Sequence, residues 1–220
     1  MFRKKPLWPK RKLVKEIPLN THHSQLTFTI FDTETTGFAV GSHDRIIEIG
    51  AVQVKDRQVL EKTFQTYVNP DREIPFEITD LTGISNATVA DAPTVIEAVQ
   101  SFLHYSEEGE GDVWVGHYAS FDLLAFKKEI NRNQYRIDFP ICLDTLDLVG
   151  YLSPAKHMLD LEIYASQFGS RIYERHQALG DALTTAHLFC ELLHHLEDRG
   201  KKTLADLIEI SNITKHYTKF

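Results

Sequence analysis

The sequence predicts an α/β fold: one mixed five-stranded sheet, a three-strand antiparallel meander followed by parallel strands, flanked by helices. Three observations carry this. β-rich runs follow one another closely between Leu26 and Val68, helical periodicity begins only behind Pro93, and short strands then alternate with helices.

Leu26-Thr27-Phe28-Thr29-Ile30-Phe31 is β-branched and aromatic and reads as the first strand. Ile46 to Val54 is the second, ending in the polar turn Lys55-Asp56-Arg57, and Gln58 to Val68 returns as the third before Asn69-Pro70. Connections this short suit antiparallel neighbours. Thr94 to Tyr105 then sets Val95, Ile96, Val99, Phe102 and Leu103 at helical spacing, with Pro93 tolerated at its start. Val113-Trp114-Val115 reads as a short strand, Ser120 opens a helix through Leu123, Leu124 and Phe126, and Phe139 to Leu143 reads as the fifth strand. Leu159 to Phe168 reads as a helix stopped by Gly169. Ala182 to Leu196, with Leu183, Ala186, Phe189, Leu193 and Leu196, is the strongest amphipathic helix.

Length and composition bound the function. A chain of 220 residues with 42% hydrophobic and 25% charged residues can bury a full core, which excludes a disordered or fibrous protein. No apolar run approaches the roughly 18 residues of a membrane span, and no signal-peptide pattern follows the basic start, so a cytoplasmic location is expected. Cys142 and Cys190 are the only cysteines and lack metal or redox spacing. The net charge of −7 is uneven: residues 1–15 hold seven basic residues and no acid, leaving −14 on the rest. The expected organisation is a basic arm over 1–24, a catalytic domain over 25–200, and a short C-terminal helix and tail over 201–220.

The first strand runs into Asp32-Thr33-Glu34-Thr35-Thr36-Gly37. In an extended chain Asp32 and Glu34 point to one face, and two carboxylates about 4 Å apart repel by about 4 kcal/mol at an effective dielectric near 20. One is protonated, or cations lie between them; solvated acids at a sheet edge are the plain alternative. The continuation Thr-Thr-Gly narrows the choice, because five fixed positions match by chance about once in a million starts. Asp122, in His117-Tyr118-Ala119-Ser120-Phe121-Asp122, and Asp181, in His176-Gln177-Ala178-Leu179-Gly180-Asp181, each fall near a helix start. Each taken alone reads as an acid favoured by a helix dipole.

Together and in this order, Asp32, Glu34, Asp122, Asp181 and His176 resemble the DnaQ-like (DEDDh) family of 3′→5′ exonucleases, with its three motifs at 31–37, 117–122 and 176–181. Asn69-Pro70, Ile74-Pro75, Thr79 to Ile84 and Ala92-Pro93 resemble the family's nucleotide-pocket segment. The resemblance spans about 25–199. It implies a ribonuclease H-like fold and two divalent cations, Mg2+ or Mn2+: Asp32 bridging both, Glu34 and Asp181 completing the first site, Asp122 holding the second. Oxygen-only ligands suit such hard ions. It makes His176 the general base, since an imidazole accepts protons near neutral pH. Gln177 stands where a related branch carries tyrosine, which supports the histidine branch.

The resemblance also implies that Thr35, Thr36 and Gly37 hold the terminal nucleotide and that Leu81, Thr82, Gly83 and Ile84 line its base and sugar pocket. Leu81 and Ile84 read equally as core. Tyr118 stands where the family usually has asparagine and could stack on a base, with Phe121 beside it. The implied activity is release of nucleoside 5′-monophosphates from a single-stranded DNA 3′ end, in proofreading or repair, with a DNA polymerase or repair partner. RNA as substrate, a non-catalytic nucleic-acid-binding module and a small-molecule phosphoesterase are the alternatives. The basic arm, with Leu7 and Trp8 interleaved, is expected to grip phosphate backbone. The short segment after Lys201 leads to the expectation of a free-standing nuclease.

Overall fold

The computed structural model describes residues 5–6, 16–109, 113–154 and 160–217. The phosphate grip expected of the arm falls on residues 1–15, which apart from Lys5 and Pro6 lie outside the described residues.

Strands β2 (Thr27–Thr35), β3 (Ile46–Lys55) and β4 (Gln58–Tyr67) form the antiparallel meander. Strand β5 (Val113–Gly116) then pairs parallel with β2, and β7 (Cys142–Asp144) parallel with β5, giving the order β4-β3-β2-β5-β7. A separate two-residue strand β1 (Lys5–Pro6) pairs parallel with β6 (Tyr135–Arg136). The helices are α1 (Phe76–Thr82), α2 (Asn86–Val89), α3 (Val95–Glu108), α4 (Ala119–Arg132), α5 (Thr145–Leu152), α6 (Leu161–Gln167), α7 (Ala178–Asp198) and α8 (Leu204–Tyr217). The five-stranded mixed sheet flanked by helices is the predicted fold. No helix among the described residues is long and apolar enough to cross a membrane.

Strand alternation divides the core between the two faces. Phe28 and Ile30 of β2 pack with Val52, Val54, Val113 and Val115 beneath Phe189, Leu192 and Leu193 of α7. Phe31 faces the other way, into an aromatic cluster with Phe102 of α3, Trp114 and Phe126 of α4, with ring centroids 5.0–6.3 Å apart. The polar atoms on this face are matched: Ser106 Oγ accepts from the Trp114 indole at 3.0 Å and shares a hydrogen bond with Thr29 Oγ1 at 3.1 Å.

Several elements differ from the sequence expectation. The fifth strand is shorter than Phe139 to Leu143, because Phe139 turns its ring onto Trp114 at 5.8 Å instead of joining the ladder. Helix α4 starts at Ala119, with Tyr118 and not Ser120 as the flanking residue. Helix α7 begins four residues before Ala182, so Asp181 sits within its first turn. Helices α1 and α5 are short; α5 nonetheless buries Thr145, Leu148, Val149 and Leu152 at helical spacing.

One buried histidine stands outside any catalytic motif. His23 is 1% exposed, and neither ring nitrogen has a hydrogen-bond partner among the described residues. Burial and neighbouring His22 push its pKa down to about 4. The folded value lies below the unfolded one, so its contribution to stability is present above about pH 6.5 and lost as pH falls toward 4, by up to about 3 kcal/mol. An NMR titration of His23 is expected to show no protonation until near pH 4; a midpoint near 6.5 would contradict this.

Candidate active site

Asp32 and Glu34 share the face of β2 that carries Phe28 and Ile30, and α7 crosses that face. Asp181 in the first turn of α7 descends toward them, and carboxylate oxygens of Asp32, Glu34 and Asp181 lie within 4.8 Å of one another. The charge is uncomfortable. Burial, then the neighbouring Asp122 and Asp181, push Asp32 well above the usual carboxylate range. Burial and Asp181 push Glu34 up to about 8. Burial also raises Asp181, opposed chiefly by Arg175.

Two residues of β3 seat the start of α7. Gly50 lies directly under Ala178 and Leu179, so close that an added Cβ would overlap their backbone. Glu48, paired across the ladder with Glu34, accepts from the Ala178 N–H at 2.9 Å and from Gln65 Nε2 at 2.6 Å. A buried carboxylate capping free N–H groups of the first turn fixes both height and rotation of the helix that presents Asp181.

Asp122 enters from α4, on the opposite side of the sheet. Strand β5 pairs with β2 only as far as Ile30, which leaves the Thr33 edge without a strand neighbour there. Asp122 Oδ1 takes that edge, accepting from the Thr33 N–H at 3.0 Å and from Thr33 Oγ1 at 2.6 Å. Burial dominates these bonds and pushes Asp122 up to about 7. Asp122 acts electrostatically on both Asp32 and Glu34, but it is not in the 4.8 Å group.

The turn before α4 has an unusual backbone. Tyr118 lies in the left-handed region, with φ 58° and ψ 40°, and its N–H donates to Asp144 Oδ1 at 2.9 Å. Asparagine tolerates this region far better than tyrosine does. Asparagine in place of Tyr118 would therefore ease the backbone here, independent of any substrate contact. Tyr118→Asn is expected to stabilise the fold by about 1 kcal/mol, raising Tm by about 2–4 °C. A lower Tm in a thermal melt would contradict that account.

His176 is exposed on the turn before α7 and also has a positive φ, 59°. Arg175 precedes it and forms an ion pair with Asp181 Oδ1. Asp181 thus meets a cation that the sequence reading did not single out; only its place beside His176 could have flagged it.

The remaining predicted residues divide by exposure. Thr36 is 1% exposed, with its hydroxyl donating to Asp44 Oδ1 at 3.0 Å, and Thr35 Oγ1 donates to the Gly37 carbonyl at 2.7 Å. Thr82 Oγ1 donates to the Ile78 carbonyl at 2.8 Å, and Ile84 is buried with Ile47, Ile74 and Val89. Leu81 and Tyr118 are exposed, Gly83 closes α1 in the left-handed region, and Phe121 is half-buried with its ring 6.4 Å from exposed Phe38. The loop from Thr36 to Arg45 is held by residues without a motif. Asp44 Oδ2 accepts from the Ala39 N–H, and buried Glu129 accepts from Arg45 and Arg132, while Arg132 also donates to the Ser42 carbonyl.

Comparison with known proteins places the chain among exonuclease relatives. The family model RNase_T, described as Exonuclease, matches residues 29–189. The chain is 37% identical to a "DNA polymerase III subunit epsilon-like protein" of Rhodobacter capsulatus, over 91% of this chain and 28% of that one. It is 35% identical to a "DNA polymerase III PolC-type" of Caldanaerobacter subterraneus, over 87% of this chain and 14% of that one, so it spans only a minor part of these two relatives. The "DNA polymerase III subunit epsilon" of Treponema pallidum is 33% identical over 81% of this chain and 82% of its own length. Among solved structures, the nuclease domain of 3′hExo, a DEDDh family member, superposes with a TM-score of 0.69 at 20% identity, covering 79% of this chain and 94% of that one. Exonuclease X superposes at 0.65 and 24% identity, covering 84% and 99%. By the family match and the Treponema relative, the chain belongs to the DnaQ-like (DEDDh) exonucleases, a family of phosphodiester-cleaving enzymes.

Proposed function

We propose that the chain is a two-metal 3′→5′ exonuclease that acts on single-stranded DNA 3′ ends and releases nucleoside 5′-monophosphates, in proofreading or repair. The observation that carries the reading is the convergence of Asp32, Glu34 and Asp181 oxygens within 4.8 Å. The donors fit hard divalent cations, Mg2+ or Mn2+, because they are all oxygen and their mutual repulsion needs positive charge. Asp32, Glu34 and Asp181 would hold one cation, and Asp32 with Asp122 the second. Such a pair would supply an activated water and would neutralise charge on the phosphoryl oxygens and the leaving 3′-oxygen.

The chain's own groups do the rest. His176, exposed on its turn, accepts the proton of the attacking water on an imidazole nitrogen and passes it to solvent. Leu81, Gly83, Tyr118 and Phe121 offer surface for the terminal nucleotide, on which any base can stack without sequence being read. Thr35 and Gly37 shape the turn beside the carboxylates. Thr36, Thr82 and Ile84, whose side chains turn inward, act on the pocket through the backbone they hold.

The names of the curated relatives favour DNA, and a DNA polymerase as partner, over RNA. The test is side-by-side digestion of matched single-stranded DNA and RNA with Mn2+ by the wild type and His176→Ala. Mononucleotides are expected from DNA, with kcat lowered about 10²–10⁴-fold in the variant and Mn2+ binding retained. Full activity in His176→Ala would contradict the assigned base. A clear preference for RNA would replace the polymer.

A further inference from the structure

The ion pair between Arg175 and Asp181 joins a cation to a residue of the carboxylate cluster. Its position is built, not incidental. Gly180, one residue before Asp181, lies against the Glu174 carbonyl so closely that any side chain there would overlap it. The segment ending in Arg175 is therefore pressed onto the first turn of α7, and the guanidinium reaches Asp181 from a chain position six residues earlier. Its charge is felt beyond that contact, opposing the upward shift of Asp32 and Glu34 as well as that of Asp181. The arginine side chain is 25% exposed, so it has solvent into which it can withdraw.

We propose that Arg175 is a built-in competitor for the metal site, holding Asp181 when no divalent cation is bound and giving it up when one arrives. The inference rests on the reading of Asp32, Glu34 and Asp181 as metal ligands. A guanidinium is always charged and donates in a fixed fork, so it neutralises a carboxylate without ligating a metal. A cation ligated by Asp181 would stand beside this guanidinium, and the repulsion of like charges is what sets the two in competition. The consequence is a trade: the metal-free fold is steadied, and affinity for the first cation is reduced.

The test is Mn2+ titration by calorimetry, with no substrate, on the full chain and on Arg175→Gln and Arg175→Lys, beside thermal melts in EDTA. Arg175→Gln is expected to bind Mn2+ about tenfold more tightly while its metal-free Tm falls by a few degrees. Arg175→Lys, keeping the charge but losing the fork, is expected to fall between. Unchanged or weaker Mn2+ affinity in Arg175→Gln would overturn the proposal and leave the metal site standing. Failure of the wild type to bind Mn2+ would overturn the metal-site reading and this inference with it. A variant that merely disturbs the turn would lose both Tm and Mn2+ affinity, an outcome that counts against competition.

Discussion

Asp32→Asn should abolish measurable hydrolysis, with a loss of about 10³-fold or more in kcat, and should raise the melting temperature of the metal-free protein. Both effects follow from one carboxylate. Cation-assisted charge neutralisation is worth several kcal/mol in the transition state, and each 1.36 kcal/mol is a factor of ten in rate. Without metal, burial first and then the neighbouring Asp122, Asp181 and Glu34 hold the pKa of the same carboxyl well above the ordinary range. Replacing the ionisable group by a neutral amide removes that burial and crowding cost, so the metal-free Tm is expected to rise. Inactivity with a higher metal-free Tm cannot be attributed to unfolding. The wild type should show the related pH signature. Glu34, raised from 4.5 to about 8, contributes stability that is present below about pH 4.5 and lost as pH rises through 8. Saturating Mg2+ should remove that loss. A metal-free Asp32→Asn protein that melts lower than wild type would contradict the electrostatic part of the account.

Gly50→Ala is expected to cost about 2–3 kcal/mol of stability and to damage activity far more than so small a substitution outside the motifs themselves would suggest. The added methyl would overlap the backbone of Ala178 and Leu179, and a packed core accommodates extra volume only by moving backbone or forcing side chains off rotamer. The helix that must move carries Asp181. Displacement of α7 from β3 would also stretch the Glu48 bond to the Ala178 N–H, which is 2.9 Å in the intact fold. Denaturant unfolding and Mn2+ affinity measured on the same preparation check this: both are expected to fall. Unaltered Mn2+ affinity would show that the seating of α7 does not control the carboxylate cluster.

The parts of the fold that could be read in the sequence are those with a regular period. The β2 alternation, the Lys55-Asp56-Arg57 turn and the long apolar stripe of α7 each repeat a simple rule, and each is present. Helix α1 was missed because seven residues between Pro75 and Gly83 are too few to reveal a period. Phe139 misled because aromatic content suits both a strand and a ring packed against Trp114.

For the site, spacing along β2 foretold that Asp32 and Glu34 share a face, and the motif order foretold that Asp181 would join them. What no local pattern encodes is the tertiary support. Thr33 holds Asp122 from 89 positions away, and Glu48 holds the Ala178 N–H from 130. Arg175 sits next to His176 in the sequence, yet its pairing with Asp181 depends on the turn geometry that Gly180 permits. Ile84 shows the reverse case, a residue of the expected nucleotide-pocket segment whose side chain the fold uses as core.

Under the proposed function, part of the acidic excess of residues 16–220 is concentrated at Asp32, Glu34, Asp122 and Asp181, where cations would offset it.

The most direct test follows a 5′-labelled single-stranded DNA oligonucleotide over time with Mn2+ and then with EDTA. The account predicts a ladder that shortens one nucleotide at a time from the 3′ end, release of nucleoside 5′-monophosphates, and complete arrest by EDTA. Immediate release of the 5′ label as a mononucleotide, or shortening that continues in EDTA, would contradict it.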